Sequence, residues 1–105
     1  MRKYKAIVRG NISQNEGAIS KPIGRDKQNR LRMAVDTNDK IAITEYKVLE
    51  SLNNFTLIEC NLKTDRTHQI RVHMKDLGHP ILGDLVYGKI DRNFKDINGQ
   101  YMYII

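Results

Sequence analysis

Residues 4–10 alternate in character: Tyr4, Ala6 and Val8 fall on one face, and Lys5, Ile7 and Arg9 on the other. A period of two is that of a β-strand. Residues 11–21 are polar and predict a loop, with a short strand candidate at residues 18–20. Residues 22–30 contain Pro22, Gly24, Asp26 and Asn29, types that punctuate turns, and predict a second loop. Lys21, Arg25, Lys27 and Arg30 make that loop basic. Residues 31–35 predict a short strand with Leu31, Met33 and Val35 on one face. Residues 41–49 predict a long strand with Ala42, Thr44, Tyr46 and Val48 on one side. Turn residues at 51–54 separate it from a strand over 55–62, so the two should pair as an antiparallel hairpin.

The period then changes. Ile70, Met74 and Leu77 follow i, i+4, i+7 and predict the buried stripe of a helix. Thr64 or Asp65 can cap its start, and Asp65 complements the positive end of the dipole. Gly78 suits the left-handed position after a helix, and Pro80 stops any continuation. His68, Arg71 and Lys75 share a face well away from the stripe, and that face is cationic. Residues 81–84, with Tyr87 and Gly88, predict a loop with apolar anchors. Residues 90–99 are polar and weakly patterned, and residues 101–105 are a candidate final strand of undetermined place. The sum is an α+β fold: a mainly antiparallel, mixed sheet with one main helix packed on it.

Composition narrows the class. A chain of 105 residues makes one domain or part of one. The hydrophobic fraction of 40% and charged fraction of 29% are those of an ordinary soluble protein. No apolar run approaches the ~20 residues of a membrane span, and no secretory-type apolar core follows the N-terminal residues. Cys60 is the single cysteine, so no internal disulfide forms, which fits a reducing cytoplasm. The net charge of +6 attracts polyanions, and phosphate contacts supply much of non-specific nucleic-acid affinity. RNA or DNA is therefore a candidate partner, although a basic domain need bind neither.

Few residues carry candidate chemistry. On one helix His68 and His73 point about 140° apart, whereas paired metal ligands normally sit at i, i+4. That argues against a metal site built with His79. Cys60 lies in a strand beside Ile58 and Leu62, where a small buried hydrophobe is the expected role. There is no glycine-rich phosphate loop of Walker or Rossmann type. Arg71 has two readings. It is part of a solvated basic face, or it pairs with a carboxylate or with RNA backbone.

Five segments resemble the RluA-type pseudouridine synthases. Residues 64–73, Thr-Asp-Arg-Thr-His-Gln-Ile-Arg-Val-His, are similar to that family's T-G-R-T-H-Q-I-R-V-H string. Residues 78–84 match G-H-P-[IV]-x-G-D, and Tyr87-Gly88 match Y-G. Residues 4–10 resemble Y-x-A-x-V-x-G. Residues 17–26 resemble G-x-I-x-x-P-I-G-R-D, with Arg30, Met33 and Val35 following in step. Residues 42–50 match A-x-T-x-Y-x-V-L-E. The P-I-G-R-D variant resembles the branch that modifies large-subunit ribosomal RNA.

The resemblance implies a function: isomerisation of uridine to pseudouridine in RNA, without cofactor or metal. In that family an aspartate attacks the target nucleotide, the glycosidic bond breaks, and the uracil turns and rejoins through carbon 5. The resemblance further implies that Arg71 pairs with that aspartate and that Tyr4 packs on the target uracil. Ile81 or Leu82 is implied as an apolar wall. Arg25, Arg30, Arg66, His68 and Lys75 are implied as phosphate contacts.

The match is incomplete. The family's nucleophile sits in an H-R-L-D-x-x-T-S-G string ahead of the strand at residues 4–10. None of the eight aspartates here lies in such a string. Asp65 replaces the usual glycine, and after Tyr87-Gly88 no counterpart of the family's L-H-A segment follows. Residues 1–105 are thus expected to be a single partial domain, the C-terminal half of the catalytic domain. The expected partners are RNA and the missing N-terminal half, with self-association through unpaired strand edges. Alone, the chain is expected to be inactive. The alternative is a non-catalytic basic RNA-binding module derived from the same fold. A third is a basic domain of unrelated function.

Overall fold

A computed structural model describes residues 2–29, 32–36, 40–84, 87 and the backbone of 102–104. Its elements are β1 (Arg2–Arg9), β2 (Glu16–Ser20), β3 (Ile23–Arg25), β4 (Met33–Val35), β5 (Ile43–Leu52), β6 (Phe55–Leu62), α1 (Gln69–Asp76) and β7 (Met102–Ile104). Five strands form one sheet in the order β2-β5-β6-β1-β7, and β3 and β4 form a separate ribbon. Every strand pairing among the described residues is antiparallel. The candidate at 18–20 lies within β2, and residues 102–104 of the candidate at 101–105 form β7, at the edge beyond β1.

Alternation along the central strands decides which face is covered. Ala6 and Val8 of β1, Thr44 and Tyr46 of β5, and Ile58, Cys60 and Leu62 of β6 are buried. Ile70 and Met74 of α1 and Ile81 pack with the apolar members of that set in one cluster. Ile58 and Met74 are fully buried; each such side chain stabilises the fold by about 1.5–3 kcal/mol. Ile23, Ala42, Val72 and Tyr87 make a second, smaller cluster that carries the ribbon. Gly17 is required opposite Tyr46: a Cβ there would lie 2.8 Å from the phenol oxygen.

Four features differ from the sequence expectations. The loop expected over 22–30 contains β3, because Ile23 is buried and its N–H bonds the Lys40 carbonyl at 3.0 Å. Pro22 therefore marks the entry to a strand. Strand β5 runs on to Leu52, and its register with β6 shifts between Val48 and Glu50. The extra residue Leu49 is exposed, and only Asn53 and Asn54 turn the chain. Asn54 takes φ 66, a region that asparagine tolerates.

The helix begins at Gln69, later than a cap at Thr64 or Asp65 implies. Its N-cap is His68 in the left-handed region (φ 55), with no capping side chain. The cause is the Gln69 side chain. Its Oε1 accepts from the Thr64 hydroxyl (2.8 Å) and the Arg66 N–H (2.9 Å), which ties residues 64–66 into a loop. Leu77 is exposed rather than buried; Val72 and His73 take its place on the covered face. The helix end is as expected. Gly78 has φ 94, its N–H bonds the Lys75 carbonyl, and the His79 N–H bonds the Met74 carbonyl. That pattern is a Schellman stop. Leu31, on which the fourth strand was expected to begin, lies outside the described residues.

Candidate active site

Strand β1 and the segment entering α1 meet at a pocket of about 230 Å³, lined by Tyr4, Leu62, Asp65, Arg66, His68, Gln69, Ile70 and Arg71. Tyr4 reaches it because it shares the covered face with Ala6 and Val8 and packs against the main core. Its hydroxyl lies 3.4 Å from Arg2 Nη1. Leu62 and Ile70 supply apolar floor; the polar wall is the loop 65–68 and the first turn of α1.

Arg71 is the most constrained cation of the site. Its Nε and Nη2 donate to Asp84 Oδ2 and Oδ1 at 2.9 and 3.0 Å. The Arg71 side chain is 14% exposed and that of Asp84 0%. A bidentate guanidinium–carboxylate pair is the arrangement that tolerates such burial. Tyr87 braces it twice: its ring centroid lies 4.9 Å from the guanidinium carbon, and its N–H donates to Asp84 Oδ1 at 3.1 Å. Of the two readings of Arg71, pairing with a carboxylate is the one found. Among the described residues that carboxylate is Asp84.

His68 completes the cluster. The Tyr87 hydroxyl accepts from the Met33 N–H at 2.8 Å and lies 2.7 Å from His68 Nδ1. Tyr87 thus ties His68 to strand β4 through one hydroxyl. Burial, then the charges of Arg71 and Arg25, lower the His68 pKa; Asp84 opposes them. These shifts favour the uncharged imidazole at His68.

A buried relay backs the loop. Gln69 Nε2 donates to the Ile43 carbonyl and to Thr44 Oγ1, both at 2.9 Å. The Thr44 hydroxyl donates to His73 Nδ1 (2.8 Å), and His73 Nε2–H donates to the Lys21 carbonyl (2.9 Å). Burial lowers the His73 pKa, with the Lys21 carbonyl opposing. Both its ring nitrogens are engaged within the protein. Among the described residues no three His, Cys, Asp or Glu side chains converge on a metal-sized site. Cys60 is fully buried and its thiol is pushed up to about 12 by burial.

The other implied contacts scatter. Arg66 lines the pocket and its Nε donates to the Ile41 carbonyl at 3.2 Å. Arg25, at the end of β3, is exposed and lines a separate groove with Asp26, Lys27 and Asp36. Lys75 is exposed on α1, and with Arg32 its charge helps lower the Asp26 pKa, after the Gln28 and Asn29 N–H groups. Ile81 and Leu82 do not line the pocket. They are 1% and 5% exposed, because the Leu82 N–H bonds the Ile7 carbonyl and Ile81 bridges Val8 along β1. Arg30 and Gly88 lie outside the described residues. Sequence reasoning gave no role to Asp84, Tyr87, Gln69 or Thr44. All four stand within segments carrying the resemblance; alternation placed Thr44 on a strand face, and no periodicity marks the other three.

Comparison with known proteins identifies relatives of this chain. A family model described as RNA pseudouridylate synthase matches residues 1–76. An "Uncharacterized RNA pseudouridine synthase YlyB" of Bacillus subtilis is 52% identical over 102 residues, covering 97% of this chain and 33% of the relative. A "Ribosomal large subunit pseudouridine synthase D" of Nitrosomonas europaea is 50% identical over 88 residues, covering 84% of this chain and 25% of that relative. The chain thus spans a quarter to a third of the length of these relatives. The solved structure of "Human RNA Pseudouridylate Synthase Domain Containing 1" superimposes with a TM-score of 0.85 at 30% identity, over 98% of this chain and 46% of that one.

Proposed function

The chain belongs to the RNA pseudouridylate synthase family, and on that premise we propose that it forms part of the active site of an isomerase converting uridine to pseudouridine in RNA. The observation that carries the reading is the pocket where Tyr4, from the first strand, meets Arg71, from the helix. In this reading Tyr4 packs on the target uracil. Arg71 holds the nucleophilic aspartate ionised, as a neighbouring permanent cation does. That aspartate comes from residues outside these 105, as do the strands around it. The target leaves the helical stack to reach the pocket, at a cost of a few kcal/mol offset by pocket contacts. Arg66, Arg25 and His68 contact backbone phosphates beside it.

The substrate we propose is large-subunit ribosomal RNA, in the cytoplasm. The names of several relatives support that substrate. Among the described residues no helix is long and apolar enough to cross a membrane. The isolated chain is proposed to be inactive, with the N-terminal part of the domain as its partner. Strand β2, at one edge of the sheet, then exposes its outer backbone groups and favours self-association. Light scattering that finds a clean monomer at high concentration contradicts the last point.

The deciding experiment is tritium release from RNA labelled at uracil carbon 5. The chain is assayed alone and mixed with a separately made N-terminal part of the Bacillus subtilis relative. Release only from the mixture is expected. Release from the chain alone means that one of its own residues is the nucleophile. Salt-dependent RNA binding with no release from either sample favours a non-catalytic binding module.

A further inference from the structure

We propose that Asp84 is a positioning residue: it occupies the Nε edge of Arg71, so that the opposite edge of the guanidinium is the one presented to the pocket. The inference rests on the proposed function, because the group met at that second edge is the nucleophilic carboxylate.

Three observations carry it. Arg71 lines the pocket and Asp84 does not. Asp84 has no exposed side-chain surface, so the edge it holds faces the interior. Asp84 and Tyr87 together grip the guanidinium on its Nε side and by one flat face, through two side-chain hydrogen bonds and the Tyr87 ring. Tyr87 also hydrogen-bonds His68, so it touches two polar groups of the wall, Arg71 and His68. A guanidinium held in this way keeps its outward donors in one orientation before any partner arrives. A displacement of about 1 Å in a catalytic group can cost a hundredfold in rate. Asp84 also offsets the charge of Arg71 near the start of α1.

Two measurements test it. Proton–nitrogen NMR of this chain should show one arginine Nε–H protected from exchange, absent in Arg71→Lys and lost in Asp84→Asn. In the tritium assay with the N-terminal part supplied, Asp84→Glu keeps the charge pair but displaces the guanidinium. It should lower kcat at least about tenfold while KM for RNA stays within about twofold. A wild-type chain with no protected Arg71 resonance overturns the proposal. So does an active wild-type mixture in which both Asp84→Glu and Asp84→Asn retain full kcat, or one in which KM alone moves. No release from the wild-type mixture sinks the proposed function and the catalytic half of this inference. The NMR result then decides separately whether the clamp exists.

Discussion

On the helix side of the sheet, a pocket of about 230 Å³ is walled by Arg66, His68 and Arg71; on the opposite face, a broader groove of about 560 Å³ runs among Glu16, Glu45, Lys47 and Glu59. Both are open and both hold charge, yet they differ in how the charge is fixed. Across the sheet, Lys63 meets Glu45 at 3.7 Å and Lys3 meets Glu59 at 3.8 Å, all of them with exposed or half-exposed side chains. Such pairs contribute roughly 0–1 kcal/mol and are screened by salt. On the helix side, Arg71 and Asp84 are buried, bidentate and braced by Tyr87. The larger cavity is thus the less organised one. Preorganised donors beside an apolar floor, not volume, mark the site.

The contrast is open to attack in order of effect. Arg71→Met leaves Asp84 buried without its cation and should destabilise the chain by about 3–5 kcal/mol, read from the urea midpoint. With the N-terminal part supplied it should also abolish tritium release. A loss below about 1 kcal/mol would reduce the clamp to the level of the surface pairs. Thr44→Val removes the hydroxyl at the centre of the relay behind loop 64–68. It should cost about 1–3 kcal/mol, and Thr44→Ser should recover much of that. Equal losses from the two variants would mean that packing, not hydrogen bonding, is what Thr44 contributes.

Acid should act next. His68 and His73 have folded pKa values below their ordinary one, so the unfolded chain binds more protons. Their contribution is complete above about pH 6.5 and is lost as pH falls through the lower folded values. His73→Gln should therefore flatten the fall in stability between neutral and mildly acidic pH. An unchanged slope would show that the relay does not hold His73 neutral. Smallest of all, Glu59→Gln on the other face should shift stability by less than about 1 kcal/mol and leave tritium release within twofold. A large effect there would erase the distinction between the faces.

The amino-acid order alone determined the repeating elements and the family. Alternation at residues 4–10 and 55–62 implies strands because a pleated chain shows every second side chain to the core. Gly78 ends the helix because a left-handed residue there costs glycine little. The segments around Tyr4 and Arg71 carried the resemblance. What only the tertiary structure decided is which groups meet. Gln69 turns the expected helix start into a loop, since a buried side-chain amide has to satisfy its hydrogen bonds within the fold. Ile81 and Leu82, implied as pocket wall, are drawn into the core by the strand beside them. Asp84 becomes the partner of Arg71 because the chain after α1 returns along β1 and places a carboxylate under the guanidinium. Periodicity reports which face of an element is covered; it contains nothing about which residue of a returning segment lies opposite, and the site is made of such encounters.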